Sequence, residues 1–585
     1  MTGAVPTIVC VGSHAIALAE RVRVLSDESD IVLCEGNTAE TLRALFTQGQ
    51  PIIALCAAGI VIRALAPLLG DKHVEPPVIS LSVDGRHVVP LLGGHRGANQ
   101  LAEMLARHLD GEAAITTASD TILDVALDQP PDGWTLRNQD AAKPMMAALL
   151  AGKPVTVWPE KPSWLAPLDL VSVAGADEAD LLVDVTDHPQ KPVLQPKAVA
   201  VGVGCERGAA PEELLTLVAS TLKQRNISEA AVACVVSLDL KADEPAVHEL
   251  ARSFGVEARF FDAERLEKER ARLVHPSEVV FREVGCHGVA EGAALAAVGP
   301  GGRLLVEKQR SARATCALAV APGPIEVAEV GRPRGRLALV GIGPGDLSTM
   351  TPAARALIKS SDEIVGFELY LDLIAPIVGT RKMHPFAIGH ERERCLFALE
   401  LAGRGARVAL ISSGDIGIYA MGALVMELLE ASDDTAQRRI DLVTAPGISA
   451  IQALAARIGA PLGHDFCLIS LSDLLTPWPA IERRLTAAAE ADFVIALYNP
   501  ISAKRRETFE TALRVLKRKR PDETVCVIGR NLGREGETLT TLQLGELGPD
   551  DVDMLSVVLI GSSETRLFSL NDRRLVYTPR GYRLG

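Results

Sequence analysis

Leu337-Ala338-Leu339-Val340-Gly341-Ile342-Gly343-Pro344-Gly345-Asp346, followed shortly by Thr351-Pro352, describes a strand, a glycine turn and a helix start. Four consecutive apolar residues read as a strand buried on both faces. The glycines let the backbone reverse sharply and lie close to a ligand. Thr351 is a helix cap with Pro352 at the first helical position. Pro344 inside the turn and Asp346 at its last position depart from the dinucleotide fingerprint. The acid expected about twenty residues later is ambiguous. A nicotinamide-dinucleotide site is therefore disfavoured.

Outward from this turn the pattern recurs. Strands at 408–411, 441–444, 493–497 and 524–528 run into Ser412-Ser413-Gly414-Asp415-Ile416-Gly417-Ile418-Tyr419, Pro446-Gly447-Ile448-Ser449-Ala450, Tyr498-Asn499-Pro500 and Gly529-Arg530-Asn531. Small or polar turns at the carboxyl ends of five successive strands of an open α/β sheet would line one crevice. Basic groups near them, Arg381-Lys382, Arg392, Arg394 and Lys504-Arg505-Arg506, could meet carboxylates. Lys517-Arg518-Lys519-Arg520 reads as a solvated helix end.

The chain has 585 residues, 48% hydrophobic and 23% charged, which excludes wholesale disorder. At about 150 residues per domain it divides into roughly three to five domains. Aromatic residues are only 4%, a composition that suits α/β layers. The net charge of −14 argues against general nucleic-acid binding. Ten scattered cysteines form no CxxC pair and twelve histidines no HExxH, so no metal site is expected and a reducing cytoplasm is. No signal-peptide pattern opens the sequence and its apolar runs are too short to span a bilayer, so no membrane partner is expected.

Prolines 189, 192 and 196 mark 185–197 as a connector through which no central strand should pass, and 321–336 as a second. Strands at 7–11, 31–34 and 52–56 alternate with helices at 60–69 and 98–109. A strand at 198–203, a helix at 211–223 and a strand at 231–237 repeat the style. Such alternation implies mainly parallel sheets. The expected division is 1–130, a weakly patterned middle at 131–190, a domain at 198–320, a linker at 321–336 and a block at 337–585.

The order VGIGPGD, SSGDIGIY, PGISA, YNP and GRNLGREGE resembles the tetrapyrrole methylase family, enzymes that use S-adenosylmethionine. The segments ALYNPISAKR, GRNLGREGET and DMLSVVLIGSSET resemble its precorrin-3B C-17 methyltransferase branch, which contracts the ring in cobalamin synthesis. The likeness spans nearly all of 337–585. It implies two α/β domains with the cofactor in the cleft between them, their boundary near 444–446, a tetrapyrrole substrate and a homodimer. By resemblance Pro344, Ser413, Gly414, Asp415, Ile418, Ser449, Ala450 and Asn499 line the S-adenosylmethionine cleft. Asp346 faces the substrate as the catalytic carboxylate, and Lys504, Arg505, Arg530 and Asn531 bind substrate. On the residues alone, Asp346 could equally be a helix-start carboxylate and Asp415 a turn former.

Ahead of this block, Leu91-Leu92-Gly93-Gly94-His95-Arg96-Gly97-Ala98-Asn99 and Ile115-Thr116-Thr117-Ala118-Ser119-Asp120 could form a carboxylate pocket. Gly202-Val203-Gly204-Cys205-Glu206-Arg207, Ser237-Leu238-Asp239-Leu240-Lys241 with Glu244, Val289-Ala290-Glu291-Gly292, Lys308 and Ala314-Thr315 follow. Together these resemble the cobalt-precorrin-5A hydrolase family, which opens a lactone and releases acetaldehyde. The likeness covers 45–125 and 198–320; Gly288 departs from it, where a small hydroxyl residue is expected. His95 or Glu291 could then be the base and Lys241 or Lys308 the oxyanion partner. Two alternatives stay open. The front half could bind and shield intermediates without catalysis, or the methylase could act on a cobalt-bound macrocycle.

Overall fold

The computed structural model describes residues 5–25, 29–71, 74–116, 127, 130–501 and 506–582. The chain divides into two compact units, Met1–Pro333 and Arg334–Gly585, both α/β throughout, as the strand–helix alternation predicts. Among the described residues no helix is long and apolar enough to cross a membrane.

In the second unit, strand Arg336–Gly341 lies inside an all-parallel sheet. The order is Lys382–Phe386, Glu363–Phe367, Arg407–Ser412, Arg336–Gly341, Asp441–Ala445. Its alternation feeds two cores. Leu337 and Leu339 pack with Cys395, Leu399 and Val425 on one face, and Ala338 and Val340 with Ile358 and Ile374 on the other. Burial on both faces explains the unbroken apolar run. Helix Pro352–Lys359 starts where the Thr351 hydroxyl accepts from the Ala354 amide at 3.1 Å, a cap worth about 1 kcal/mol.

A second, mixed sheet follows in the order Phe466–Ser470, Val494–Tyr498, Ser556–Ile560, Val525–Arg530, Thr538–Gln543. Only its first pair is parallel. The five glycine and polar turns therefore do not follow five successive strands of one sheet. Three follow strands of the parallel sheet and two follow strands of the mixed one, with strands Glu363–Phe367 and Lys382–Phe386 intervening in sequence.

The first unit holds three sheets. One runs Ile31–Cys34, Thr7–Val11, Ile52–Leu55, Val78–Leu81, His87–Leu92, Glu112–Ala113. The third runs Glu257–Phe261, Val232–Leu238, Val199–Cys205, Ala314–Val320, Arg303–Arg310, with its first three strands parallel. Between them, the weakly patterned middle forms a five-stranded sheet of its own: Trp134–Arg137, Val193–Pro196, Leu181–Val183, Val155–Trp158, Leu170–Ser172.

That middle sheet corrects the reading of 185–197. Val193–Pro196 is an inner strand, antiparallel to Trp134–Arg137 and parallel to Leu181–Val183. Pro192 stands just before it and Pro196 ends it, so the missing donors fall at its ends. The stretch 321–336 is also less free than a linker. Arg259 donates to the carbonyls of Val330 and Ala328 at 2.7 and 2.9 Å, and Phe260 and Arg332 exchange backbone bonds.

The basic run 517–520 is only partly a solvated helix end. Arg520 is 5% exposed. It pairs with Asp492 and donates to the carbonyls of Phe493 at 2.9 Å and Gly561 at 3.2 Å, tying helix and strand ends of the mixed sheet together. Replacing Arg520 by Ala leaves these carbonyls without a donor and Asp492 without its cation. We expect a loss of about 3–5 kcal/mol, read as a lower urea midpoint for the unit spanning Arg334–Gly585, whereas Arg518→Ala, at an exposed site, leaves the midpoint in place.

Candidate active site

Three strand ends of the parallel sheet close on one another through glycine. A Cβ on Gly341 would stand 2.7 Å from the Gly414 oxygen and from the Gly447 nitrogen, and one on Gly447 would stand 2.0 Å from the Gly414 oxygen. No side chain fits there, so the three backbones touch. Gly343 and Gly414 lock this closure by exchanging bonds of 3.1 and 2.7 Å. Asp415 adds a staple: one carboxylate oxygen accepts from Gly417 N at 2.8 Å and the other from Gly447 N at 3.1 Å. It forms its own turn and also joins two turns.

Gly414 itself faces open space. Its φ is +65°, and a Cβ there would meet only the Ser449 Cα at 3.8 Å. Around that space Ser413, Asp415, Ile418 and Ala450 are half-buried, and Pro344 and Ser449 are buried. Ser449 opens helix Ala450–Ile458 in a capping box with Gln452. Tyr498 accepts from Ile451 N at 3.1 Å, and the Tyr419 hydroxyl donates to Leu468 O at 2.7 Å. These bonds join the two sheets' turns. Asn499 is exposed with φ +51° and donates to Ser470 Oγ at 3.1 Å. Bare backbone at Gly414 thus stands between polar and apolar neighbours.

Asp346 is exposed at the rim. Its carboxylate accepts from Ser348 N at 2.8 Å, and hydrogen bonds from the Ser348 amide and hydroxyl hold it below the ordinary carboxylate range. It is thus a helix-start cap and also an exposed, ionised group directly after the Gly343–Gly345 turn.

The basic residues sort differently from expectation. Arg530 is exposed and paired with Asp553, Arg506 with Asp550, and Asn531 donates its amide to Leu555 O at 3.2 Å. Arg381 donates to the carbonyls of Lys359 and Val378. Arg394 is buried and hydrogen-bonded to Ala387 O at 3.1 Å. Lys504 and Arg505 lie outside the described residues.

The residue that sequence reading passed over is Arg534, inside the GRNLGREGE string. Its Nε donates to Pro344 O at 3.0 Å, its Nη2 to Ser413 Oγ at 2.8 Å, and its Cζ lies 5.8 Å from the Tyr370 ring centroid. Burial pulls its pKa down, and among the described residues it has no ion pair. It reaches from the mixed sheet to two turns of the parallel one. Nothing in its spacing distinguishes it from the neighbouring arginine of the same string; only the fold does.

In the first unit, His95 lies in the single turn Gly94–Arg96 between Gly93 and Gly97, both at positive φ, and leads into helix Ala98–Leu109. Asn99 is buried on that helix. Thr117 to Asp120 lie outside the described residues. Glu291 belongs to a different sheet's layer and is 2% exposed. Its carboxylate accepts from the amides of Val274, His275 and Lys308 at 2.9, 3.0 and 2.9 Å and meets His275 Nδ1 at 2.9 Å. Burial pushes its pKa up, but those hydrogen bonds outweigh burial and leave it below the ordinary range. Gly288 caps helix Val289–Val298 with no side chain.

Three stretches of the chain match known families. Residues 336–548 match the Tetrapyrrole (Corrin/Porphyrin) Methylases, 40–120 the Cobalamin synthesis G N-terminal family and 199–319 the Cobalamin synthesis G C-terminus. The precorrin-3B C(17)-methyltransferase of a Sinorhizobium species is 42% identical over 255 residues, 42% of this chain and 97% of that one. The cobalt-factor III methyltransferase of Priestia megaterium is 39% identical over 249 residues, 43% of this chain and 45% of that one. The crystal structure of the methyltransferase CobJ is 37% identical, with a TM-score of 0.40, covering 42% of this chain and all of that one. This chain belongs to the tetrapyrrole methylase family, among the C(17)-methyltransferases of cobalamin biosynthesis, with cobalamin synthesis G domains fused ahead of the methylase.

Proposed function

We propose that residues 337–585 methylate C-17 of precorrin-3B, using S-adenosylmethionine, with ring contraction to precorrin-4. We propose further that the domains at 1–130 and 198–320 form a lactone hydrolase acting on cobalt-precorrin-5A or its metal-free counterpart. The observation that supports the methylase reading is the glycine closure at Gly341, Gly414 and Gly447, which ties the turns of three family motifs to one another beside the open space at Gly414.

Pro344, Ser413, Gly414, Asp415, Ile418, Ser449, Ala450 and Asn499 would hold the cofactor. When bound, S-adenosylmethionine supplies an electrophilic methyl group and a neutral thioether leaving group. The chain's own part is orientation. The turns are fixed to one another by backbone bonds and by Asp415, so the macrocycle carbon can be held at attack distance without reorganisation. Asp346, ionised and exposed, orients the macrocycle or accepts a proton during contraction. Arg534, whose charge no carboxylate answers among the described residues, meets a peripheral carboxylate.

Anaerobic incubation with precorrin-3B and methyl-labelled S-adenosylmethionine tests this. One label gained, with the absorbance change of a contracted ring, is the expected result. Transfer only to the cobalt-bound macrocycle overturns the metal-free substrate, and no transfer to either overturns the C-17 assignment. Arg534→Ala should lower kcat/KM about 10- to 100-fold, the worth of one or two hydrogen bonds to a charged group. Arg534→Lys should not restore it, because one ammonium cannot span Pro344 O and Ser413 Oγ as the planar guanidinium does.

A further inference from the structure

Three buried carboxylates lie in the domain of the third sheet; Glu269 is held by Arg265 and Arg272 at 2.7 Å each, and the other two differ in one respect. Glu291 has a donor for each lone pair it can use, three backbone amides and an imidazole. A carboxylate so saturated braces the fold and has nothing left with which to take a proton. Glu244 is 1% exposed. Its Oε1 accepts from Gly208 N at 2.8 Å, but its Oε2 is buried with no hydrogen-bond partner. Arg207 Nη1 forms an ion pair with that oxygen at 3.4 Å, without a hydrogen bond, and a closer one with Asp243 at 2.7 Å, while its Nη2 donates to Leu240 O at 3.0 Å. A buried carboxylate oxygen without a hydrogen bond is costly to keep, and such exceptions mark working sites.

The place matters as much as the atom. Glu244 caps helix Pro245–Ser253 on the turn that follows strand Val232–Leu238, where its amide donates to Lys241 O at 3.0 Å. Through Gly208 it also holds the turn that follows strand Val199–Cys205. These are adjacent parallel strands, and the crevice beyond their carboxyl ends is where α/β sheets bind ligands. Ser237 Oγ donates to Val203 O at 2.7 Å and fixes the floor. Cys205 lies at the rim, half-buried. Burial raises its thiol pKa above the ordinary value, with Lys241 lowering it, Glu244 raising it and the two nearby arginines lowering it, so lysine, thiol and carboxylate share one field. Lys241 is half-buried and has no ion pair among the described residues, although Asp243 and Glu244 are close in sequence.

We infer that this crevice is the hydrolytic centre of the front half, with Glu244 as general base and Lys241 as the cation that receives the oxyanion; the inference rests on the lactone-hydrolase reading above. Glu244 Oε2 takes a proton from water as the water oxygen bonds to the lactone carbonyl carbon. The carbonyl π pair moves to its oxygen, beside the Lys241 ammonium. Collapse breaks the ring C–O bond, and the proton held by Glu244 passes to the departing alkoxide. One water is consumed, and an acid and an alcohol form; the alcohol then loses its O–H proton as its C–O becomes a carbonyl, the C–C bond to the macrocycle breaks, and that electron pair and a proton pass to the macrocycle, so acetaldehyde leaves with no external oxidant or reductant. His95 and Glu291 have no part in these steps.

The test uses the full chain with cobalt-precorrin-5A, and trapped acetaldehyde is the readout. Glu244→Gln keeps an acceptor for Gly208 N but cannot take the proton. We expect kcat about 100-fold or more lower, within the range for loss of a general base, with KM little changed. Lys241→Met should cost a comparable factor and, at a half-exposed site, leave the fold intact by circular dichroism. Methyl transfer by the same preparations should match the parent protein. If both variants release acetaldehyde at close to the parent rate, the crevice assignment falls and the hydrolase reading stands. If the parent protein itself releases none, the hydrolase reading falls and takes the assignment with it.

Discussion

Backbone-to-backbone contact among Gly341, Gly414 and Gly447 is the constraint on which the methylase half depends. A methyl group on any of the strand ends at Gly341 or Gly447 would overlap a neighbouring main chain by more than side-chain motion can relieve. Because these strand ends touch, the turns they carry are set by main-chain geometry and not by flexible side chains. Pro344, Ser413 and Ser449 therefore occupy fixed places around Gly414. An enzyme whose reagent brings its own leaving group needs this fixity more than it needs an activated nucleophile.

Most of what the sequence announced, it announced through local chemistry. Strands Thr7–Val11 and Ile31–Cys34 and helix Ala98–Leu109 have the limits read from their apolar spacing, and the Thr351 cap behaves as its residue type requires. Each of these signals is complete within about a dozen residues. The family likeness was legible for a related reason, since turns that face a ligand carry unusual residues in fixed order. What stayed hidden depends on partners distant in sequence. Val193–Pro196 becomes an inner strand because Trp134–Arg137 lies beside it, and no local pattern reveals a neighbour nearly sixty residues away. The turns after Val494–Tyr498 and Val525–Arg530 belong to a different, mixed sheet, because pairing direction is decided by Ser556–Ile560 inserting between them.

Charged residues show the same limit more sharply. Arg520 and Arg518 occupy one basic run, yet one is buried under carbonyls and the other is exposed. Arg530 and Arg534 share one string, yet the first is paired with Asp553 and the second crosses to Pro344 and Ser413. Glu244 and Glu291 look alike as helix-start acids. Only the count of hydrogen-bond donors separates them, four on Glu291 and one on Glu244. Residue type and spacing narrow a site to a neighbourhood, and hydrogen-bond saturation within the folded chain then assigns roles inside it.

That distinction also bears on how a chain of net charge −14 could bind the carboxylate-bearing macrocycle proposed as its substrate. With acids in excess, exposed cations find partners readily, as Arg407 does in Asp362 and Arg313 in Glu206. A paired cation offers an incoming anion little. Repulsion from the remaining acids is screened over about 8–10 Å at physiological salt, so a ligand already in a crevice senses mainly the groups that line it. Arg534 and Lys241, two of the described cations without an ion pair, are then the charges that a ligand in the proposed crevices would meet. The acidic surface sharpens the contrast, because on such a surface a cation left unpaired is one that the fold has kept out of reach of its neighbours.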